Sequence, residues 1–223
     1  MAVCEIAGPA GRLEALLDEP QPVRSVDADG LAHAGQPGGV RAAVVLGHPH
    51  TEYGGTMHTK VVYQAAKALS RIGCAVLRIN FRGAGASAGS CTGGPGEKDD
   101  FRAALDFMHN RYPEARMWAA GMSFGAWIGL SVGAEDLRIS TLIGIALPIA
   151  AYDWETVRTS SKPKYFIHGE RDELCPLKDM REFYARAAEP RELAIIDGAD
   201  HLFDGKVSEV ADAIEDLLGD WSG

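Results

Sequence analysis

Short apolar runs rich in β-branched residues alternate along this chain with longer segments in which apolar residues recur every three to four positions. The short runs, at 42–46, 75–79, 116–120, 142–147, 164–168 and 192–196, predict strands, and the longer segments, at 56–72, 97–110, 124–133, 176–188 and 206–218, predict helices. The last segment is the clearest, because Val207, Val210, Ala211, Ile214, Leu217 and Leu218 fall along one helical face. Regular alternation of strand and helix calls for crossover connections, and so for a mainly parallel sheet covered on both faces. Ahead of it, "CEIAGPAGRLEALLDEP" reads as two strands around Gly8, Pro9 and Gly11, an antiparallel hairpin at the sheet edge that brings the sheet to about eight strands. The following "SVDADGLAHAGQPGG" reads as a surface loop.

Parallel sheets bind ligands beyond the carboxyl ends of their strands. Four expected strand ends carry polar residues: "GHPHTEYGG" after Leu46, Ser123 after Ala120, "GERDE" after His168 and "DGADH" after Ile196. A serine hydroxyl becomes a nucleophile when a neighbouring base takes its proton, and the base works best when a third group fixes its tautomer and offsets the charge it gains. Ser123, His201 and Asp172 supply these three roles. They occur in the chain order Ser, Asp, His, and Ser123 sits in the Gly-x-Ser-x-Gly context "GMSFG".

Four stretches carry a resemblance to the α/β-hydrolase superfamily over nearly the whole chain: "GMSFG" as the nucleophile elbow, "HGERDELCP" as the acid loop, "GADHLF" as the histidine loop and "NFRGAGASAG" after the strand at 75–79. More narrowly, "GHPHTEYGGTMHTKVVYQAAKAL" resembles the small bacterial hydrolases without a cap domain that are related to dienelactone hydrolases. The resemblance implies an α/β-hydrolase fold with no cap, and cleavage of an ester or thioester through an acyl-enzyme on Ser123, with no cofactor. It also implies an oxyanion hole formed by the backbone N–H of Phe124 and a second donor at His50 or Thr51. Many relatives read His-Gly where this chain reads His48-Pro49-His50, and Pro49 has no N–H to donate. Arg82 resembles the family arginine that ties its loop down by ion pairing.

Rival readings attach to several of these residues. Asp153 is the alternative acid, while Asp200 and His168 read as structural. His48, His50 and His58 suggest a metal, but no carboxylate or cysteine nearby completes a ligand set, so loop-shaping hydrogen bonds are favoured. The glycines of "RGAGASAGSCTGGPG" miss the dinucleotide spacing and no Gly-Lys-Ser/Thr follows. Tyr53 and Trp154 are the candidates for substrate contact, and Trp127 reads as core. A peptidase or amidase of the same fold is the alternative activity, and a non-catalytic ligand receptor the alternative from another class.

The 223 residues, 46% of them hydrophobic and 24% charged, suit one domain over 1–223. A net charge of -9 argues against nucleic acid or an anionic membrane as partner and leaves a small-molecule substrate. Cys4, Cys74, Cys91 and Cys175 form no C-x-x-C pair and read as free thiols. The N-terminus has no basic stretch leading into an apolar one, and the longest apolar run, 142–151, is too short to span a bilayer. A soluble, cytoplasmic protein is therefore expected.

Overall fold

The computed structural model describes residues 2–20, 24–26, 32–34 and 39–219. Strands β1 (Ala2–Gly8) and β2 (Gly11–Asp18) form the expected antiparallel hairpin, with Gly8 facing Gly11 across the turn. Two three-residue strands, β3 (Arg24–Val26) and β4 (Ala32–Ala34), pair antiparallel within the stretch read as a surface loop. The rest of that stretch up to residue 38 lies outside the described residues.

The chain then alternates as expected: β5 (Ala42–Gly47), α1 (Lys60–Arg71), β6 (Ala75–Ile79), α2 (Pro95–Arg111), β7 (Arg116–Met122), α3 (Phe124–Glu135), β8 (Ile139–Ile145), α4 (Glu155–Thr159), β9 (Lys164–Gly169), α5 (Leu177–Arg186), β10 (Arg191–Ile196) and α6 (Val207–Leu218). The main sheet has eight strands in the order β1-β2-β6-β5-β7-β8-β9-β10. β2 joins β6 antiparallel, and from β6 to β10 every pairing is parallel.

Strand alternation splits the core in two. Ala43 and Val45 of β5, with Met117 and Ala119 of β7, pack under α2 and α3, while Ala42, Val44 and Leu46, with Trp118 and Ala120, pack under α1 and α6. Both faces of the central strands are therefore buried, which is why they read as continuous apolar runs.

One boundary differs by a full turn. α1 begins at Lys60 and not near residue 56, because tertiary hydrogen bonds capture the preceding turn: Asn80 Oδ1 accepts from the Met57 N–H at 2.8 Å, and Arg78 Nη1 donates to the Met57 carbonyl at 2.9 Å. Between β8 and β9 the chain builds only the five-residue helix α4, so no cap domain covers the carboxyl edge of the sheet. Among the described residues, no helix is long and apolar enough to cross a membrane.

Candidate active site

Ser123 occupies the single residue between β7 and α3, with φ 55° and ψ -121°. This region is unfavourable for a residue bearing Cβ and costs on the order of 1–3 kcal/mol. The surrounding backbone holds it there: Ser123 N–H donates to the Ile145 carbonyl at 2.8 Å, and the Ser123 carbonyl accepts from Ala126 and Trp127 N–H at 2.9 and 3.1 Å. Glycine at 121 and 125 is required by backbone contact between α3 and the strands. A Cβ on Gly121 would lie 2.5 Å from Ala126 N, and one on Gly125 would lie 2.5 Å from the His48 carbonyl oxygen. The turn thus stands the serine side chain up at the carboxyl edge.

The loops after β9 and β10 bring the other two groups to it. His201 Nε2 lies 2.9 Å from Ser123 Oγ, and His201 Nδ1 lies 2.8 Å from Asp172 Oδ2. A carboxylate only accepts, so Nδ1 carries the proton and Nε2 faces the serine hydroxyl as the acceptor. Asp172 Oδ1 accepts from Leu174 and Cys175 N–H at 2.9 and 2.8 Å. Burial pushes the Asp172 carboxyl up, but the hydrogen bonds from His201 and the Cys175 N–H outweigh it and hold the group below the usual carboxylate range. Asp153 is elsewhere engaged: its Oδ1 accepts from Glu155 N–H and its carbonyl from Trp127 Nε1. Asp200 Oδ1 accepts from Leu202 and Asp204 N–H at 3.0 Å each, which shapes the turn carrying His201.

His168, fully buried, supports the acid from behind. Its Nε2 donates to the Cys175 carbonyl at 2.8 Å and lies 3.9 Å from Asp172 Oδ2. Burial holds its pKa below the ordinary imidazole range, although the Cys175 carbonyl pulls the other way. His168 therefore anchors the carbonyl of the same residue whose N–H binds Asp172.

The 48–53 loop lies on the opposite flank. His48 is fully buried: Nε2 accepts from Phe81 N–H at 3.1 Å, Nδ1 donates to the Pro49 carbonyl at 2.5 Å, and burial lowers its pKa to about 4. His50 Nδ1 caps the short 3-10 helix Thr51–Tyr53 by accepting from Glu52 N–H, and its ring lies 4.5 Å from that of Phe124. The Thr51 hydroxyl oxygen is buried and has no hydrogen-bond partner among the described residues. Phe124 N–H opens α3, so no carbonyl of a preceding helical turn exists to receive it. Among the described residues no three His, Cys, Asp or Glu side chains gather to hold a metal, His48, His50 and His58 included. Arg82 pairs with Asp100 through Nε and Nη2 at 3.0 and 2.7 Å, which fastens the loop after β6.

The two aromatic candidates part company. Tyr53 stands 88% exposed beside His50, whereas Trp154 is only 5% exposed and packs edge-on against Phe183 in the core. Trp154 therefore presents no indole face to a ligand. Trp127, read as core, packs against the core cluster and is itself covered: Tyr152 stacks on it at 4.2 Å between ring centroids and 10° between planes, and Lys98 Nζ lies 4.7 Å from its centroid.

This geometry agrees with what the chain is similar to. The model of the family described as serine aminopeptidase, S33, matches residues 38–156. An uncharacterised protein of Rickettsia prowazekii is 37% identical over 185 residues, covering 79% of this chain and 77% of that protein. An α/β serine hydrolase homologue of Coxiella burnetii superposes with a TM-score of 0.85 at 30% identity, over 97% of each chain. A serine hydrolase without a lid from Xanthomonas campestris gives 0.84 at 32% identity, over 96% of this chain and 92% of that one. The chain belongs to this family of α/β serine hydrolases that lack a lid.

Proposed function

We propose that the chain hydrolyses small carboxylic esters or thioesters through an acyl-enzyme on Ser123. The observation that carries this reading is the continuous chain from Ser123 Oγ through His201 to Asp172, with links of 2.9 and 2.8 Å. As Ser123 Oγ attacks the carbonyl carbon, its proton passes to His201 Nε2, and Asp172 stabilises the imidazolium that results. The oxyanion gathers against Phe124 N–H at the positive end of α3, with a second donor from His50 or Thr51. The partnerless Thr51 hydroxyl supports that segment as the second donor. His201 then protonates the leaving group, and water repeats the sequence to free the acid. No cofactor enters any step.

The open carboxyl edge sets the expected acyl length. An added methylene gains about 0.8 kcal/mol only where water is excluded. With α4 the only helix between β8 and β9, kcat/KM should peak with acetyl to butyryl esters. A p-nitrophenyl series from acetate to palmitate, kept below micelle formation, tests this beside an aminoacyl anilide. A steady climb through decanoate would overturn the short-acyl reading, and preferred cleavage of the anilide would replace esterase with peptidase.

A further inference from the structure

A groove of about 270 Å³ opens against the edge of His201 and is lined by Glu173, Leu174, Asp200, His201 and Leu202. Leu174 is 69% and Leu202 54% exposed, so two large apolar side chains flank the imidazole in water. The order of strands says what lies here. Ser123 and the expected Phe124 donor follow β7; the second expected oxyanion donor comes from the loop after β5 on one side, and His201 and Asp172 come from the loops after β10 and β9 on the other. A leaving group must receive its proton from His201 Nε2, so it departs toward β9 and β10, where the groove begins.

We infer that this groove receives the leaving group of the substrate and selects apolar leaving groups without negative charge, excluding acyl-coenzyme A. The inference rests on the serine hydrolase reading above. Its lining offers two carboxylates and no cation: Lys206, on the histidine loop, pairs with Glu209, and Arg171 is not among the lining residues. Lys98 lies over the Trp127 ring at 4.7 Å, on the side of the loops after β5 and β6. An anion entering the groove therefore meets Glu173 and Asp200 beside the leucines, while a neutral or cationic group keeps the apolar contact without that repulsion.

Three butyryl thioesters vary the charge: butyrylthiocholine (cationic), S-butyryl-N-acetylcysteamine (neutral) and butyryl-coenzyme A (anionic). Because the ammonium also acidifies the thiol of thiocholine, each kcat/KM is divided by the rate of hydroxide-catalysed hydrolysis of the same thioester before comparison. In each, Ser123 Oγ bonds to the acyl carbon, the C–S bond breaks, the sulfur takes the proton held on His201, and water then releases butyrate. Each carboxylate within several ångström of a solvated charge should shift kcat/KM by about twofold, and the several charges of the coenzyme by more. The expected order is cationic, then neutral, then anionic, with about tenfold between the ends at low salt. Glu173→Lys should reduce that ratio at least about threefold, whereas Glu114→Lys, an equal change at the far end of β7, should leave it unaltered. Equal cleavage of all three, a preference for the coenzyme thioester, or an equal response to Glu114→Lys would overturn the inference. Hydrolysis of p-nitrophenyl butyrate, run alongside, separates the two failures: if it proceeds, only the groove reading falls, and if it is absent both do.

Discussion

Replacing Asp172 with asparagine tests the reaction through one atom. Asp172 Oδ1 accepts two backbone N–H groups, from Leu174 and Cys175, while Oδ2 faces His201 Nδ1. The two donors fix which way the introduced amide points: its carbonyl oxygen must take the Oδ1 position, because an NH₂ there would meet two N–H groups. The NH₂ then faces His201 Nδ1 at 2.8 Å and can only donate. His201 is left with a bare Nδ1 and its proton on Nε2, the tautomer unable to accept a proton from Ser123. Loss of the tautomer and of the compensating charge costs about 10³ to 10⁴ in kcat by analogy with other such triads, or about 4–5.5 kcal/mol. Both N–H bonds of the loop survive, so stability should change little. The assay compares kcat on p-nitrophenyl butyrate for Asp172→Asn and Asp153→Asn, with thermal melts of each. A loss below tenfold for Asp172→Asn, or equal losses in the two variants, would refute the reasoning.

The buried neighbours yield two further expectations. His168→Leu frees the Cys175 carbonyl and loosens the N–H that grips Asp172, so kcat should fall at least about tenfold and the acidic limb of the kcat/KM–pH profile should move, while His168→Gln, which can still donate to that carbonyl, should restore most of both; an unmoved profile would make His168 packing alone. His48 has its folded pKa depressed to about 4, so between its ordinary value near 6.5 and pH 4 the unfolded chain binds a proton that the folded chain refuses. Its contribution is fully present above pH 6.5 and is lost as pH falls through this window, by about 3 kcal/mol at most. Denaturant melts from pH 7 to 4 should show a shallower loss in His48→Gln than in the parent, and equal slopes would contradict the assignment.

What could be read before folding followed the physics of each residue. That Ser123, Asp172 and His201 would meet was legible because a parallel sheet gathers its strand ends on one edge; Ser123 follows its apolar run directly, and Asp172 and His201 lie within five residues of theirs. The glycines beside Ser123 likewise mark a turn where backbones touch. The burial of Trp154 was not legible: it stands between Asp153 and Glu155 in the sequence, and only the tertiary approach of α5 buries it against Phe183. The turn ahead of α1 was misread for a related reason, since the partners of Met57, Asn80 and Arg78 lie more than twenty residues away. His168 could be recognised as packed, but its bond to the Cys175 carbonyl depends on a loop conformation that no local pattern encodes.

The central claim is that acyl transfer runs through the Ser123 hydroxyl. Titrating the protein with a fluorophosphonate, while following intact mass, the modified peptide and the remaining hydrolysis of p-nitrophenyl butyrate, tests it directly. One adduct per chain on Ser123, with activity lost in proportion and neither labelling nor turnover in Ser123→Ala, is the predicted result. Hydrolysis that persists after Ser123 is fully modified, or rapid labelling that persists in Ser123→Ala, would contradict the account.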